Sequence, residues 1–254
     1  MMTQTVLITG ATDGIGLALA QIFAKASARL VLVGRRPLAE TPAGRLFTPA
    51  TYCQADLSRP GAADVVRDFC RLRKITWLDL LILNAGTGYV GPIAVQTPES
   101  ISALVAVNLK APIALTQALL PVLETAQGKV VFVSSVSSAL PTPDYAVYTA
   151  TKAALEGFAR SLRVEMGDGP GGRIRVQTLF PGATYTGLHA KSGVDQAQMD
   201  WTKFPPAGQV AAQMIQAMYD DRPALALGPG SRLRRFAGRR LGGLVDWQMR
   251  RRAR

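Results

Sequence analysis

The chain has 254 residues, of which 48% are hydrophobic, and a formal net charge of +12. This length suits one α/β domain, and no apolar run reaches the roughly 18 residues of a membrane span. The N-terminus lacks the pattern of a secretory signal. Cys53 and Cys70 are the only cysteines, and the single histidine, His189, argues against a histidine-based triad or a zinc site. We therefore expect a cytoplasmic protein with reduced thiols and no metal centre.

The first predicted elements are a strand, a glycine-rich turn and a helix. The apolar, β-branched run 5–9 is typical of a buried parallel strand, and residues 14–26 follow with helical periodicity. Gly10, Gly14 and Gly16 lie between and at the start of these elements. Glycines there let the backbone approach a pyrophosphate, and the helix N-terminus offers free N–H groups. The pattern indicates a dinucleotide-binding turn, although three glycines also occur in ordinary βα turns.

Alternating strands and helices continue along the chain. Further strands are predicted near 29–34, 50–54, 78–83, 129–134, 174–179 and 224–227, and further helices near 60–74, 98–125, 145–167 and 208–219. Pro112 and Pro121 should bend or divide the third of these helices. Prolines in 35–49 predict that the helix after the second strand is short or absent. The alternation predicts a doubly wound parallel sheet of about seven strands with helices on both faces.

One predicted helix carries a Tyr-x-x-x-Lys pair. Tyr148 and Lys152 are four residues apart, so their side chains lie on one helical face. A free phenol has a pKa of about 10, and a nearby ammonium favours the phenolate. The pair therefore predicts a Tyr148 pKa lowered toward neutrality, although surface helices also contain this spacing by chance.

The motifs resemble, in order and spacing, those of the short-chain dehydrogenases/reductases, in the compact single-domain branch of that family. The resemblance covers residues 3 to 227. It rests on the motifs Thr9-Gly10-Ala11-Thr12-Asp13-Gly14-Ile15-Gly16, Asp56-Leu57, Asn84-Ala85-Gly86, Asn108, Ser134-Ser135, Tyr148, Lys152, Pro181-Gly182 and Thr186. It implies a Rossmann-type fold and an NAD(P)-dependent oxidoreductase that interconverts carbonyls and alcohols.

The resemblance implies catalytic roles for four residues. Tyr148 would exchange a proton with the substrate oxygen, and Lys152 would lower the Tyr148 pKa and bind the nicotinamide ribose. Ser135, thirteen residues before the tyrosine, would bind the substrate oxygen, whereas Ser134 alternates to the other side of the strand. Asn108 would hold a water that relays protons to Lys152, or would serve as a helix-capping or kink-satisfying amide. The remaining residues implied to contact the cofactor are Gly10, Thr12, Asp13, Gly14, Ile15, Gly16, Asp56, Leu57, Asn84, Ala85, Gly86, Pro181, Gly182, Thr184 and Thr186.

The end of the second predicted strand bears on the choice of cofactor. NAD enzymes of this architecture usually place there an acid that binds the ribose 2′-OH. Here Gly34 takes that position, and Arg35 and Arg36 follow. Guanidinium groups match a 2′-phosphate, so the pattern favours NADP(H). NAD(H) stays possible, because Asp13 would repel that phosphate and because both arginines could be ordinary exposed loop residues.

A single domain is predicted over 1–230, with a substrate lid at about 183–206 by resemblance. The lid contains His189 and apolar or aromatic residues that favour an apolar or mixed pocket: Tyr185, Leu188, Met199, Trp201 and Phe204. We expect reduction of a ketone or aldehyde on a hydrophobic, lipid-like substrate. The alternatives are a small polar sugar or hydroxy acid, and a cofactor-binding sensor or scaffold without turnover.

Residues 231–254 form a predicted basic tail with nine arginines against the single acid Asp246, a formal charge of +8. Apolar residues recur in it at roughly helical spacing: Leu233, Phe236, Leu241, Leu244 and Trp247. This favours an amphipathic segment on an anionic membrane surface. Packing on another subunit and a solvated tail are the alternatives, and no feature besides charge supports nucleic-acid binding. The resemblance also implies a homodimer or homotetramer formed through the helices that hold Asn108 and Tyr148.

Overall fold

Seven parallel strands form one sheet in the order β3-β2-β1-β4-β5-β6-β7. The computed structural model describes residues 3–167, 171–184, 186, 200, 203–220 and 222–252. The strands are β1 Thr5–Thr9, β2 Arg29–Gly34, β3 Tyr52–Gln54, β4 Leu80–Leu83, β5 Lys129–Val133, β6 Arg175–Phe180 and β7 Ala224–Ala226. The predicted doubly wound Rossmann-type sheet is therefore confirmed, with strand ends shifted by at most two residues.

Helices cover both faces of this sheet. They are α1 Gly14–Lys25, α2 Ala62–Leu72, α3 Pro98–Val105, α4 Ala111–Thr125, α5 Ala146–Met166, α6 Ala207–Met218, α7 Pro229–Arg240 and α8 Gly242–Arg252. One apolar core contains residues of α2, α4 and α5, and a second core contains residues of α1 and α6. Because both faces are covered, β1, β4 and β5 are buried at every position, as their continuous apolar sequences predict.

The strand order places a switch point between β1 and β4. After β1 the chain builds β2 and β3 on one side, and then crosses to β4 on the other side of β1. In open α/β sheets, ligands bind at the carboxyl ends of the strands where the direction reverses. Residues 10–16 follow β1 and residues 84–86 follow β4, so the two predicted cofactor motifs meet at this crevice.

The predicted helix 98–125 is divided, as expected, but a π-helical turn separates its halves. That turn, Ala106–Lys110, lies between α3 and α4 and contains Asn108. Pro112 has no N–H, so the carbonyl of Asn108, four residues earlier, lacks its α-helical donor. Pro121 lies inside α4. The proline therefore widens the turn at a predicted catalytic residue.

The stretch Pro98–Thr125 is long and apolar enough to cross a membrane by length and composition. In the fold it packs against other elements, since α3 contacts α5 and α4 contacts α2 and β4. Four of its leucines, Leu104, Leu115, Leu119 and Leu123, are at most 1% exposed. We therefore interpret its apolar character as that of a helix that packs in the core.

The segment 35–49 lacks an α-helix as predicted, whereas the predicted boundary at residue 230 does not separate two regions of the fold. The segment 35–49 contains only a short 3₁₀ turn, Leu38–Glu40, which confirms the missing helix after β2. The predicted boundary at residue 230 falls inside α7, because that helix begins at Pro229. The predicted tail thus starts within an ordered helix that contacts β7 and the 3₁₀ turn Val136–Ala139.

Candidate active site

The glycines of the turn after β1 stand at positions where a side chain would be crowded or strained. Gly10 and Gly14 have positive φ angles of 66° and 52°. A Cβ on Gly16 would lie 2.2 Å from the carbonyl oxygen of Gly10, and a Cβ on Gly10 would lie 2.9 Å from the Cα of Ala85. Asp13 caps α1, since its Oδ1 accepts a hydrogen bond from the N–H of Gly14 at 2.7 Å. The turn therefore exposes backbone next to a helix N-terminus, which is the geometry that a pyrophosphate requires.

Thr9 connects this turn to the loop after β4. Its hydroxyl accepts a hydrogen bond from the N–H of Ala85 at 3.0 Å, and its carbonyl accepts one from Nδ2 of Asn84 at 3.0 Å. These bonds position the predicted residues 84–86 against the turn. Thr9 was part of the motif but was not assigned a role, because a threonine in a buried strand has no sequence signal beyond its β propensity.

The end of β2 shows why a glycine stands where NAD enzymes carry an acid. A Cβ on Gly34 would lie 2.8 Å from Cγ2 of Thr12 and 2.8 Å from the hydroxyl of Tyr52. That hydroxyl donates a hydrogen bond to the carbonyl oxygen of Arg36 at 2.6 Å. Tyr52 thus fills the space of the missing side chain and fixes the backbone at the two arginines.

The two arginines differ in their surroundings. Arg35 is exposed, whereas Arg36 is half-buried and its Nη2 lies 3.9 Å from Oδ2 of Asp13. Asp56 lies beyond β3, where the N–H and hydroxyl of Ser58 donate to its carboxylate and hold the pKa of that group below its usual range. The cofactor edge therefore combines two guanidinium groups with two acids that already have partners.

Ser135 follows the C-terminal end of β5, and Tyr148 and Lys152 lie in the first two turns of α5, so the three residues lie together. The side chains of Ser135 and Tyr148 are within hydrogen-bonding reach of each other. The N–H and hydroxyl of Ser137 donate to Oγ of Ser135 at 3.2 Å and 2.9 Å. Lys152 is 4% exposed, its ammonium donates to the carbonyl of Val133 at 2.9 Å and lies 5.8 Å from the Tyr148 ring centroid. Ser134 points the other way and donates to the carbonyl of Lys152 at 3.0 Å. This geometry favours Ser135 over Ser134, and the catalytic role of Ser135 stays a prediction.

The predicted direction of the Tyr148 shift is wrong. Burial raises the pKa of this phenol, the Ser135 hydrogen bond opposes that rise, and the nearby Tyr145 adds to it. The ring of Tyr145 packs edge-on against Tyr148 at 6.1 Å between centroids. Burial also lowers the pKa of Lys152 to about 8. The four-residue spacing predicts that the lysine charge lies near the phenol, but it does not predict that the fold buries both groups away from water.

Asn108 is fully buried and its amide is satisfied by the chain. Its Oδ1 accepts from the N–H of Thr87 at 2.9 Å, and its Nδ2 donates to the carbonyl of Thr87 at 2.9 Å and to Thr151 Oγ1 at 3.3 Å. These bonds join the π-helical turn to the loop after β4 and to α5, and none of them reaches the backbone carbonyl freed at the kink. The role of Asn108 stays a prediction. A Cβ on Gly86 would lie 3.4 Å from Oδ1 of Asn108 and 3.6 Å from Nζ of Lys152, so the loop after β4 reaches both predicted catalytic side chains.

The far side of the crevice is formed by residues that follow β6. Thr184 is buried and donates to the carbonyl of Gly182 at 3.0 Å. A Cβ on Gly14 would lie 3.1 Å from Thr186, so this segment closes over the turn after β1. The predicted lid residues Tyr185, Leu188, His189, Met199 and Trp201 lie outside the described residues, and Phe204 is half-buried.

Comparison with known proteins agrees with this arrangement. Residues 4–197 match the sequence profile of the family described as short chain dehydrogenase. This chain belongs to the short-chain dehydrogenase/reductase family. The mouse (Mus musculus) dehydrogenase/reductase SDR family member 7B is 32% identical over 239 residues, which cover 87% of this chain and 70% of that protein.

Two solved structures with bound cofactor are similar to most of this chain. A short-chain dehydrogenase from Sphingobium yanoikuyae in complex with NADPH is 28% identical, with a TM-score of 0.77 and coverage of 96% and 95% of the two chains. The 3-ketoacyl-(acyl-carrier-protein) reductase from Brucella melitensis, complexed with NADH, is 26% identical, with a TM-score of 0.72 and coverage of 88% and 96%. The family membership makes this chain an NAD(P)-dependent oxidoreductase.

The residues present fit a nicotinamide dinucleotide. The side-chain-free turn at Gly10, Gly14 and Gly16 suits the pyrophosphate, and Asn84, Ala85 and Gly86 line the path from it to Lys152. Of the other predicted contacts, Ile15 and Leu57 pack against the cores, while Pro181 and Gly182 follow β6 beside α7. When bound, the nicotinamide supplies or accepts a hydride.

Proposed function

We propose that this chain is an NADP(H)-dependent reductase of ketones or aldehydes on hydrophobic substrates. The observation that carries the proposal is the grouping of Ser135, Tyr148 and the buried Lys152 at the carboxyl end of the sheet. Two hydroxyls and a cation grouped in one place suit a carbonyl oxygen that gains negative charge. A module that only binds a cofactor has no need of this grouping.

The raised pKa of Tyr148 suits a proton donor. At neutral pH the phenol stays protonated, so it can give its proton to the carbonyl oxygen of the substrate during reduction. Ser135 would donate a second hydrogen bond to the same oxygen. Lys152, at 5.8 Å from the Tyr148 ring centroid, would stabilise the phenolate that remains. In this scheme the lysine acts on the tyrosine after proton transfer, rather than by lowering its resting pKa.

The residues at the end of β2 support a preference for NADP(H). Gly34 offers no acid for a ribose 2′-OH, and the exposed Arg35 follows it directly in the chain. Asp13 was expected to repel a 2′-phosphate, but its carboxylate already accepts the Gly14 N–H and lies near Arg36. The two solved relatives bind NADPH and NADH respectively, so the family alone does not decide between them.

The predicted lid and one similar protein support a hydrophobic substrate. The predicted lid at 183–206 contains Tyr185, Leu188, Met199, Trp201 and Phe204 and no cluster of lysine or arginine, which favours an apolar or mixed pocket over one for a carboxylate or phosphate. The similar Brucella melitensis protein is a 3-ketoacyl-(acyl-carrier-protein) reductase, and a 3-ketoacyl group carries its ketone on an acyl chain. The alternatives remain a small polar sugar or hydroxy acid, and a sensor without turnover.

The experiment compares wild-type chain with Tyr148→Phe. Oxidation of NADPH is followed by absorbance, with butyrophenone as the apolar ketone and acetoacetate as the polar one. We expect turnover of butyrophenone, and a loss of about 100- to 10,000-fold in Tyr148→Phe with unchanged NADPH affinity. Faster turnover of acetoacetate would favour the polar alternative, and equal activity of the two proteins would contradict the role of Tyr148.

The C-terminal helices favour contact with an anionic membrane surface from the cytoplasmic side. The large apolar side chains of α7, α8 and their junction are between 49% and 69% exposed: Leu233, Phe236, Leu241, Leu244 and Trp247. The guanidinium of Arg251 stacks on the Trp247 ring at 4.2 Å, so apolar and cationic groups share one surface. This combination suits insertion of aromatic groups beside anionic head groups.

Vesicle sedimentation tests this contact. We expect binding to phosphatidylserine-containing vesicles, weak binding to phosphatidylcholine alone, and loss of binding in a double variant with Arg250→Glu and Arg251→Glu. Lys25→Glu with Arg71→Glu changes the net charge equally elsewhere and should leave binding nearly intact. Absence of binding to both vesicle types would contradict the proposal. Light scattering on the protein without vesicles tests the expected dimer or tetramer.

A further inference from the structure

A buried ion pair joins α7 to α5 beside the catalytic residues. Arg235 and Glu156 are only 7% and 8% exposed, and Nη2 of Arg235 donates to Oε1 of Glu156 at 2.8 Å. The Arg235 guanidinium also stacks on the ring of Phe180 at 3.3 Å from its centroid. Arg239 adds a second guanidinium to Oε1 of the same carboxylate. Removing two charges from water is costly, so the pair needs these additional contacts to remain buried.

The pair is connected to Ser135 through one hydroxyl. Nη1 of Arg235 donates to Oγ of Ser138 at 2.7 Å. The single proton of that hydroxyl has two acceptors, the carbonyl oxygen of Ser135 at 2.9 Å and Oε2 of Glu156 at 3.1 Å. Only Ser138 therefore separates the α7 arginine from the backbone of the serine that faces Tyr148.

The backbone packing of α7 supports the same connection independently. A Cβ on Gly238 would lie 1.8 Å from the carbonyl oxygen of Ala139, so α7 touches the 3₁₀ turn without an intervening side chain. At its other end, a Cβ on Gly182 would lie 3.0 Å from Oγ of Ser231. The helix thus contacts both loops that border the nicotinamide end of the crevice, namely 136–139 and 181–182.

We infer that α7 is a positioning element for the reaction, in which Arg235 and Glu156 hold the turn 136–139 and thereby the Ser135 hydroxyl opposite Tyr148. Neither residue touches the reacting atoms. The inference rests on the proposed function for its kinetic consequence, but the effect on the turn itself does not depend on it. Misplacement of a catalytic group by about 1 Å can cost on the order of 100-fold in rate.

The test compares Arg235→Met with Arg234→Met in the full chain with NADPH. Arg234 is an exposed neighbour on the same helix, so both variants lose one charge from α7. For Arg235→Met we expect kcat for butyrophenone to fall about 10- to 100-fold, with little change in KM or NADPH affinity. Hydrogen exchange at the amides of 135–140 should accelerate in this variant and not in Arg234→Met.

Two further variants separate positioning from stability. Glu156→Met combined with Arg235→Met replaces the ion pair by apolar groups, which often restores stability. We expect its thermal midpoint to recover and its kcat to stay low, whereas a merely structural pair would let both recover. Ser138→Ala removes only the connecting hydroxyl and should lower kcat in a folded protein.

The results that would contradict the positioning role of α7 differ from those that would contradict the proposed reductase activity. Equal kcat and equal exchange in Arg235→Met and Arg234→Met would overturn the inference. If the wild-type chain reduces no ketone, the proposed function fails, and the exchange measurement alone decides whether α7 holds the turn.

Discussion

Two pairs of arginines mark opposite ends of the site and are used differently. Arg35 and Arg36 follow β2, where one is exposed and the other lies 3.9 Å from Asp13. Arg235 and Arg239 lie on α7 and both contact the buried carboxylate of Glu156. The sequence shows four cations of the same kind, and only the fold separates a surface open to a ligand from a set of internal contacts.

The largest expected effect tests the rigid turn at the cofactor end. In Gly16→Ala, the added methyl would lie 2.2 Å from the Gly10 carbonyl and 2.6 Å from Nδ2 of Asn84. We expect destabilisation of about 1–3 kcal/mol and at least a tenfold loss of NADPH affinity, measured by thermal unfolding and by fluorescence titration. Gly208→Ala in α6 is the control, since a Cβ there would meet nothing within 4 Å beyond its own helix backbone. A stable variant with wild-type affinity would contradict the close approach at this turn.

A smaller effect tests whether the first arginine pair contacts ligand. Arg35→Ala should weaken NADPH binding about 10- to 100-fold and leave NADH binding unchanged, because a charge-assisted hydrogen bond contributes about 1.5–3 kcal/mol. Arg45→Ala removes another exposed arginine from the same segment and should change neither affinity. Tighter NADH binding by wild-type chain would show that Arg35 does not select the cofactor.

A third prediction concerns the buried Lys152. Its pKa is lowered to about 8 in the fold, against 10.5 for the free group, so between these values the unfolded chain binds more protons. The free energy of unfolding of wild-type chain, relative to Lys152→Met, should therefore rise with pH across this window. The expected slope is at most about 1.4 kcal/mol per pH unit. Denaturant titrations from pH 7 upward measure it, and a flat difference would show that Lys152 is not desolvated as described.

The cofactor end could be predicted because its requirements are local. A strand, a turn of glycines and a helix are contiguous in sequence, and the steric need for Gly10, Gly14 and Gly16 is met within a few residues. The missing helix in 35–49 followed from its prolines for the same reason. Only the family resemblance predicted that Ser135 lies beside Tyr148 and Lys152. These residues belong to different elements, and the sequence alone does not show that the end of β5 packs beside the start of α5.

The parts that could not be predicted depend on burial between distant segments. The Tyr148 pKa rises because the fold removes the phenol from water, which no spacing rule registers. Arg235 and Glu156 are 79 residues apart, so nothing local marks either as buried. A glycine disfavours the interior of a helix, yet the missing side chain of Gly238 is what lets α7 touch Ala139.

The most direct measurement follows a hydride into the product. The wild-type chain is incubated with butyrophenone and with NADPH deuterated at the transferable position of the nicotinamide, in each stereochemical form separately. We predict deuterium at the carbinol carbon of the alcohol from one form only, and no alcohol from Tyr148→Phe although it binds NADPH. Failure of the wild-type chain to form alcohol from butyrophenone or acetoacetate, with NADPH bound, would contradict the proposed reductase.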